Sequence, residues 1–454
     1  MIQFKALGGA MEIGANSYYI NFFGTGIILD CGQHPRKEGY DSLPDFSLIE
    51  NDPIDYVIIT HAHQDHLNSL PFLVKLHPYI QVITTPATRD IAELTLHNAL
   101  NIMREELDPI EAKKLFSHDE LDMLTGSIIV LPYNKPLQLA GHKHKLHEEI
   151  TLTLHDAGHI LGSAMVFLEC AGRSICYTGD INPFDQAVIK GASYKGLRAD
   201  ILIMESTYGQ TPDAEYKPWQ KEKERLGAEL NKVFNKGGSV LMPVFSLGKL
   251  QELLTTIWQL MHKRKVPFTD IYVNGIGMKL NRLYDRHRYL VNMVDPNFQV
   301  TGTGYRNITT LEKKEDLFKE PCIVMASSGM LNEGTLSYTL APLFLRQKDC
   351  AIFTAGYMDP ESAGYAVANA KKGDHIYFPG QSKAIPVKCA IRKFRFSAHS
   401  SAEGLVKIAA EINPERVILV HGDEGAVLEM GSILLKKIPH VKIHAAEPGK
   451  LIEL

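Results

Sequence analysis

The chain of 454 residues carries only six cysteines, and no two of them form a C-x-x-C pair. Cys31, Cys170, Cys176, Cys322, Cys350 and Cys389 stand singly, which excludes a disulfide framework and a thiolate zinc site. No apolar stretch approaches the ~18–20 residues of a membrane span. The opening MIQFKALGGAMEIGANSYYI lacks the charged head and apolar body of a secretory leader. Neither sign of charge dominates: 48 Lys and Arg against 52 Asp and Glu give a formal net charge of −4, which excludes a polybasic arm or an acidic tail. There is no G-x-S-x-G elbow, no G-K-[ST] phosphate loop and no G-x-G-x-x-G, and His147-Glu148 lacks the second histidine of an H-E-x-x-H helix. A soluble protein of a reducing, cytoplasmic compartment is the expectation, with no membrane partner. What the chain has is histidine, 19 of them.

The length suits two or three domain-sized units. Apolar runs at Ile2–Leu7, Ser17–Phe22, Thr25–Leu29 and Asp55–Thr60 predict strands, Pro71–Leu76 predicts a helix, and 86–124 carries helical periodicity through Ile91, Leu94, Ile102 and Leu107. Strands are expected again at Ile150–Leu154, Ala164–Leu168, Ser174–Tyr177 and Ile201–Met204. From about 206 helix and strand alternate, as in an α/β unit with a parallel sheet, and cations outnumber acids there, so a basic module sits inside an acidic frame. After 389 the β-rich style returns with Phe394–Ala398 as a strand, Glu403–Ile412 as a helix and Val417–Val420 as a buried strand.

The densest chemical signal is His61-Ala62-His63-Gln64-Asp65-His66, directly after the apolar run Tyr56–Thr60. In an extended or looped chain His61 and His63 project to one side and can share a metal, while Asp65 and His66 can reach a second one. Imidazole and carboxylate are zinc's non-sulfur ligands. The competing reading is a polar loop with incidental histidines. His97, His118 and His262 show no partner pattern, and His142, His144 and His147 read as a polar loop.

The cluster resembles the H-x-H-x-D-H signature of the metallo-β-lactamase superfamily. Asp30 in Leu29-Asp30-Cys31-Gly32 resembles its first motif, a carboxylate supporting the metal-binding loop; His159 in Gly158-His159-Ile160 resembles the third; Asp180 in Thr178-Gly179-Asp180 resembles the fourth, a carboxylate bridging two metals. Glu205, His399 and His421 look like motifs A, B and C of the β-CASP nucleases, and Gly248-Lys249-Leu250-Gln251-Glu252 and Ala326-Ser327-Ser328-Gly329-Met330 resemble stretches of their inserted domain. The resemblance, to ribonucleases of the cleavage and polyadenylation specificity factor kind, covers nearly the whole chain.

It implies an αββα metallo-β-lactamase sandwich (1–205 and 389–454) with an inserted α/β β-CASP domain (206–388). It implies two zinc ions, one on His61, His63, His159 and Asp180, the other on Asp65, His66, His421 and the shared Asp180. Asp65 would also orient the nucleophile; His399, held by Glu205, would protonate the leaving O3′. The implied reaction is hydrolysis of single-stranded RNA, endonucleolytic and with 5′-to-3′ exonuclease action as a further option, by a metal-bridging hydroxide, leaving 5′-phosphate and 3′-hydroxyl ends. Histidine at 421 points to the RNA-cleaving branch. Ser327, Ser328, Gly329, Met330 and Lys249 are the expected substrate contacts, and five cations between Gln381 and Arg395 could track a nucleic-acid backbone or be one solvated strand face.

The resemblance is not uniform. Ser400-Ser401 stands where motif B usually has A-D, and Lys249 stands for an arginine, losing its bidentate fork. The stretch Gly356–Gly364 departs from a more glycine-rich pattern. No KH module precedes the catalytic unit and no long dimerisation domain follows it, which points away from the archaeal form and from an RNase J type; a homodimer stays an open expectation. Two other classes compete: a small-molecule lactone or ester hydrolase, for which the large insert has no obvious use, and a non-catalytic RNA-binding protein, which decayed ligands would signal.

Overall fold

The computed structural model describes residues 2–106, 115–140, 149–211, 218–356, 358–378 and 383–454. His142, His144 and His147, and Leu107, Tyr357 and Gln381 of the stretches discussed above, lie outside the described residues.

Two seven-stranded sheets face each other. The first runs, in spatial order, Leu451–Glu453, Ile2–Gly8, Ser17–Phe22, Thr25–Leu29, Tyr56–Ile58, Gln81–Thr84 and Ile129–Val130. The second runs Lys442–Ala445, Arg416–Val420, Ile201–Glu205, Arg173–Tyr177, Ala164–Cys170, Ile150–Asp156 and Leu137–Leu139. Phe4, Tyr18, Ile20, Leu29, Leu152, Val166, Ile203 and Val420 fill the space between them. Helices cover both outer faces: Leu70–Leu76 and Pro86–Glu106 on one, Ala402–Ile412 and Glu424–Lys437 on the other. Covered on both faces, strands such as Thr25–Leu29 and Ile201–Glu205 are buried at every position and read as continuous apolar runs.

The middle of the chain builds a third sheet, all parallel, in the order Arg306–Asn307, Asp270–Val273, Cys322–Ala326, Val240–Pro243, Ala351–Ala355 and Ala390–Phe394. The expected division at 388/389 falls just before the last of these strands. Ala390–Phe394 pairs with Ala351–Ala355, so it closes the insert's sheet instead of opening the returning segment. The strand expected at Phe394–Ala398 is corrected accordingly: pairing stops at Phe394, and Phe396 leaves the sheet to pack on Trp219, ring centroids 4.8 Å apart. Helical periodicity over 86–124 resolves into Pro86–Glu106 and His118–Ser127, the second opened by a capping box of Ser117 and Glu120.

Parallel strands end on the same side, and that side holds the chemistry. Asp30, His61, Asp180 and His421 follow the C-terminal ends of Thr25–Leu29, Tyr56–Ile58, Arg173–Tyr177 and Arg416–Val420, and Glu205 ends its own strand.

Candidate metal centre

The loop after Tyr56–Ile58 is fixed by Asp30. Its carboxylate accepts from the Thr60 N–H at 2.7 Å, from the Thr60 hydroxyl at 2.9 Å and from the Tyr177 hydroxyl at 2.8 Å, and it faces His66 Nδ1 at 2.8 Å. The approach of the two loops demands glycine at 32: a Cβ there would lie 1.6 Å from the Asp65 carbonyl oxygen. The far nitrogens of the histidines are engaged as well. His61 Nδ1 meets Thr60 Oγ1 at 3.0 Å, His159 Nδ1 meets the Ala398 carbonyl at 2.7 Å, and His421 Nδ1 meets Thr207 Oγ1 at 2.9 Å. A carbonyl only accepts, so His159 carries its proton on Nδ1 and turns a bare Nε2 inward. His421 adopts a left-handed backbone (φ 49°), held by its N–H on the Gly9 carbonyl and by the Ser206 N–H on its own carbonyl.

The inward atoms form two groups, His61, His63, His159 and Asp180, and Asp65, His66 and His421, the atoms of each lying within 4.8 Å of one another. In the first, His63 Nδ1 is 3.1 Å from both His61 Nε2 and His159 Nε2, and Asp180 Oδ2 is 3.4 Å from both of those Nε2 atoms. A tetrahedral ion with bonds of ~2.0–2.1 Å spaces its ligands about 3.3 Å apart, so the donor set fits a zinc-sized cation. In the second, Asp65 Oδ2 is 3.2 Å from His421 Nε2 and 3.6 Å from His66 Nε2. The other oxygen of Asp180, Oδ1, lies 3.3 Å from His66 Nε2 and 3.5 Å from His421 Nδ1, and is buried with no hydrogen-bond partner among the described residues. One carboxylate thus serves both groups, an oxygen to each.

Protonation follows position. Burial lowers the pKa of His61 and His159 and takes His63 down to about 3, leaving neutral imidazoles. Burial opposes charge on His66 too, but Asp180, Asp65 and Asp30 outweigh it and raise its pKa well above the usual value. The same contest, burial against His421 and His66, ends with Asp180 held well below the carboxylate range. That local surplus of carboxylate is what a divalent cation neutralises.

Beside this cluster His399 Nδ1 lies 3.0 and 3.1 Å from the two oxygens of Glu205, with Nε2 3.8 Å from Asp180 Oδ2. Burial lowers its pKa, and Glu205 and Asp180 overcome this to bring it to about 9. Glu205 is itself buried and accepts the Ile181 N–H at 2.7 Å.

Ser327, Ser328, Gly329 and Met330 form a turn at the C-terminal end of Cys322–Ala326, tied to two helices through Ser337 and Gly364. The N–H groups of Gly329 and Met330 donate to nothing among the described residues. Lys249 is not a free cation: its ammonium donates to the Phe396 carbonyl and sits 5.8 Å from the Trp219 ring centroid, and burial pushes its pKa down to about 8. Of the five cations before His399, Arg392 is paired with Glu229 at 2.7 Å. Sequence reasoning passes over Asn16, whose amide donates to the Asp65 carbonyl and carboxylate at 2.9 and 3.2 Å, along with Thr60, Tyr177 and Thr207. Asn16 stands between Ala15, which has positive φ, and the strand Ser17–Phe22, a polar residue where the apolar run begins.

Three family models match in chain order: a metallo-beta-lactamase superfamily domain over residues 19–206, a Beta-Casp domain over 250–367, and a Zn-dependent metallo-hydrolase RNA specificity domain over 384–443. The chain is 28% identical to "Endoribonuclease YSH1" of Candida glabrata, across 100% of this chain and 59% of that one. It is 28% identical to "Cleavage and polyadenylation specificity factor subunit 3" of Dictyostelium discoideum, across 98% and 56%. The chain therefore spans a little over half the length of these relatives. An "RNase J-like protein" of Methanocaldococcus jannaschii is 29% identical across 97% of both chains. A crystal structure of a protein of unknown function from Enterococcus faecalis shares the fold, with a TM-score of 0.58 at 15% identity over 100% of both chains. The chain belongs to the β-CASP branch of the metallo-β-lactamase superfamily.

Proposed function

We propose that the protein is a zinc-dependent ribonuclease that hydrolyses phosphodiester bonds within single-stranded RNA, leaving 5′-phosphate and 3′-hydroxyl ends. The observation that carries this is the division of the Asp180 carboxylate between two ligand groups, Oδ2 facing His61 and His159, and the buried Oδ1 facing His66 and His421 with no hydrogen-bond donor among the described residues. His61, His63 and His159 would hold one zinc, Asp65, His66 and His421 the other, and Asp180 both. When bound, such a pair supplies hydroxide near neutral pH and offsets the charge that builds on a phosphodiester.

The chain's own residues do the rest. Asp65, oriented by Asn16 and facing His421, positions the nucleophile. His399 keeps its proton near neutral pH because Glu205 lies against Nδ1, so Nε2 is charged and able to donate to the departing O3′. Glu205, anchored by the Ile181 N–H, keeps the ring from turning. The free N–H groups of Gly329 and Met330 suit a phosphate of the bound strand. Support for RNA over other phosphodiesters comes from the RNA specificity domain matched over 384–443 and from relatives named as endoribonucleases.

The test is cleavage of end-labelled single-stranded RNA and of matched DNA, with and without chelator, followed by end-group analysis. RNA cut to 5′-phosphate ends, stopped by chelator and by Asp65→Ala, is expected. RNA cleavage that survives both Asp65→Ala and His399→Ala, or turnover of a lactone with RNA left intact, would overturn the reading.

A further inference from the structure

Outside the buried cluster, two histidines that sequence spacing leaves without a pattern are brought edge to edge, Nδ1 against Nδ1. His97 lies on the helix Pro86–Glu106 and His118 begins the helix His118–Ser127. Their Nδ1 atoms are 2.6 Å apart and their rings are parallel to within 1°, with centroids 4.9 Å apart. Each ring turns its other nitrogen to an oxygen: His97 Nε2 lies 3.0 Å from Asp122 Oδ1, and His118 Nε2 lies 3.1 Å from Asn101 Oδ1.

The proton count follows from those partners. A carboxylate only accepts, so His97 carries a hydrogen on Nε2; with the Asn101 carbonyl oxygen turned to it, His118 carries its hydrogen on Nε2 as well. Both Nδ1 atoms then present lone pairs to one another, an arrangement that either a shared proton or a metal cation between them relieves. Orientation of a ligating imidazole by a carboxylate or carbonyl on its far nitrogen is the support that metal-bound histidines use. We propose that His97 and His118 form a second metal site, distinct from the buried cluster, for a first-row transition ion of the zinc or copper(II) class. Imidazole nitrogen selects such ions over magnesium or calcium. An ion with bonds of ~2.0–2.1 Å needs the two nitrogens about 3.3 Å apart. His97 is one-quarter exposed and His118 half-buried, so the rings can part by that much, and water completes the shell. The ion would staple the two helices together.

The experiment titrates copper(II), and separately zinc, into tag-free protein as purified, with uptake read by elemental analysis and the copper signal by electron paramagnetic resonance. The wild type is expected to bind one ion per chain more than His97→Gln or His118→Gln, with a two-nitrogen copper signature that either variant loses. Asp122→Asn should keep the stoichiometry and weaken binding about 10–100-fold. RNA cleavage should be unchanged in His97→Gln, which keeps this site's outcome separate from that of the buried cluster. Equal uptake by the wild type and both variants would overturn the proposal; the contact would then be a shared proton, with the Asn101 amide turned to donate to His118.

Discussion

The sandwich and the insert use their polar motif residues in opposite ways. In the sandwich His61, His66 and His421 each give Nδ1 to a fixed partner, so the contacts of Thr60, Asp30 and Thr207 leave their Nε2 atoms facing the cluster. In the insert the motif 248–252 is consumed by structure. Gln251 accepts the Gly248 N–H and donates to the Ser246 carbonyl and to Asn281, and Lys249 donates to the Phe396 carbonyl. Glu252 reaches across to the sandwich and accepts the N–H groups of Ala187, Val188 and Ile189. A conspicuous charged motif can therefore be a clasp between domains, and the clasp seats the backbone leading to His399.

The comparison breaks most sharply at His399. His399→Ala is expected to lower kcat about 10²–10⁴-fold while bound metal stays unchanged by elemental analysis. Loss of metal in that variant would make His399 a ligand and not an acid. Next, Asp30→Asn should weaken metal affinity about 10–100-fold, measured by competition with a chelator, because an amide leaves only one accepting oxygen for the Thr60 turn, Tyr177 and His66 to share.

The clasp has its own signature. Burial raises the Glu252 pKa to about 7, against three N–H groups and Lys249, which favour its charge. A carboxyl that is more basic folded than unfolded (about 4.3) binds more protons in the native state, so its contribution to stability is full below that value and falls as pH rises toward 7. Glu252→Gln should flatten that slope in chemical denaturation, and cost about 1–3 kcal/mol near neutral pH by leaving buried N–H groups unsatisfied. The smallest effect is expected at Lys249. Lys249→Met should lower the melting temperature yet leave the salt dependence of RNA binding unaltered, since the ammonium is bonded to Phe396; a flatter salt slope would restore it as a phosphate contact.

These differences also explain what can be read from the chain alone. His61, His63, Asp65 and His66 announce themselves because four ligand-type side chains crowd six positions, and the strand before them is an unbroken apolar run. His159, Asp180 and His421 are isolated in sequence, and only their likeness to known motifs links them until the strand ends bring them together. Asn16, Tyr177 and the Ala398 carbonyl carry no local signal, because their role exists only once distant segments pack. The closing strand Ala390–Phe394 escapes the sequence pattern for a related reason: it is the edge strand, with Arg392 and Lys393 exposed, and so lacks the apolar run of its buried neighbours. His97 and His118 sit 21 positions apart on two helices, a spacing that no single-element pattern reports.

The central claim is that Asp180 bridges two ions. Diffraction from the purified protein at the zinc absorption edge tests it most directly. Two anomalous peaks about 3.5–4 Å apart, one among His61, His63 and His159 and the other among Asp65, His66 and His421, with Asp180 between them, are expected. A single peak, or none within reach of Asp180, would contradict it.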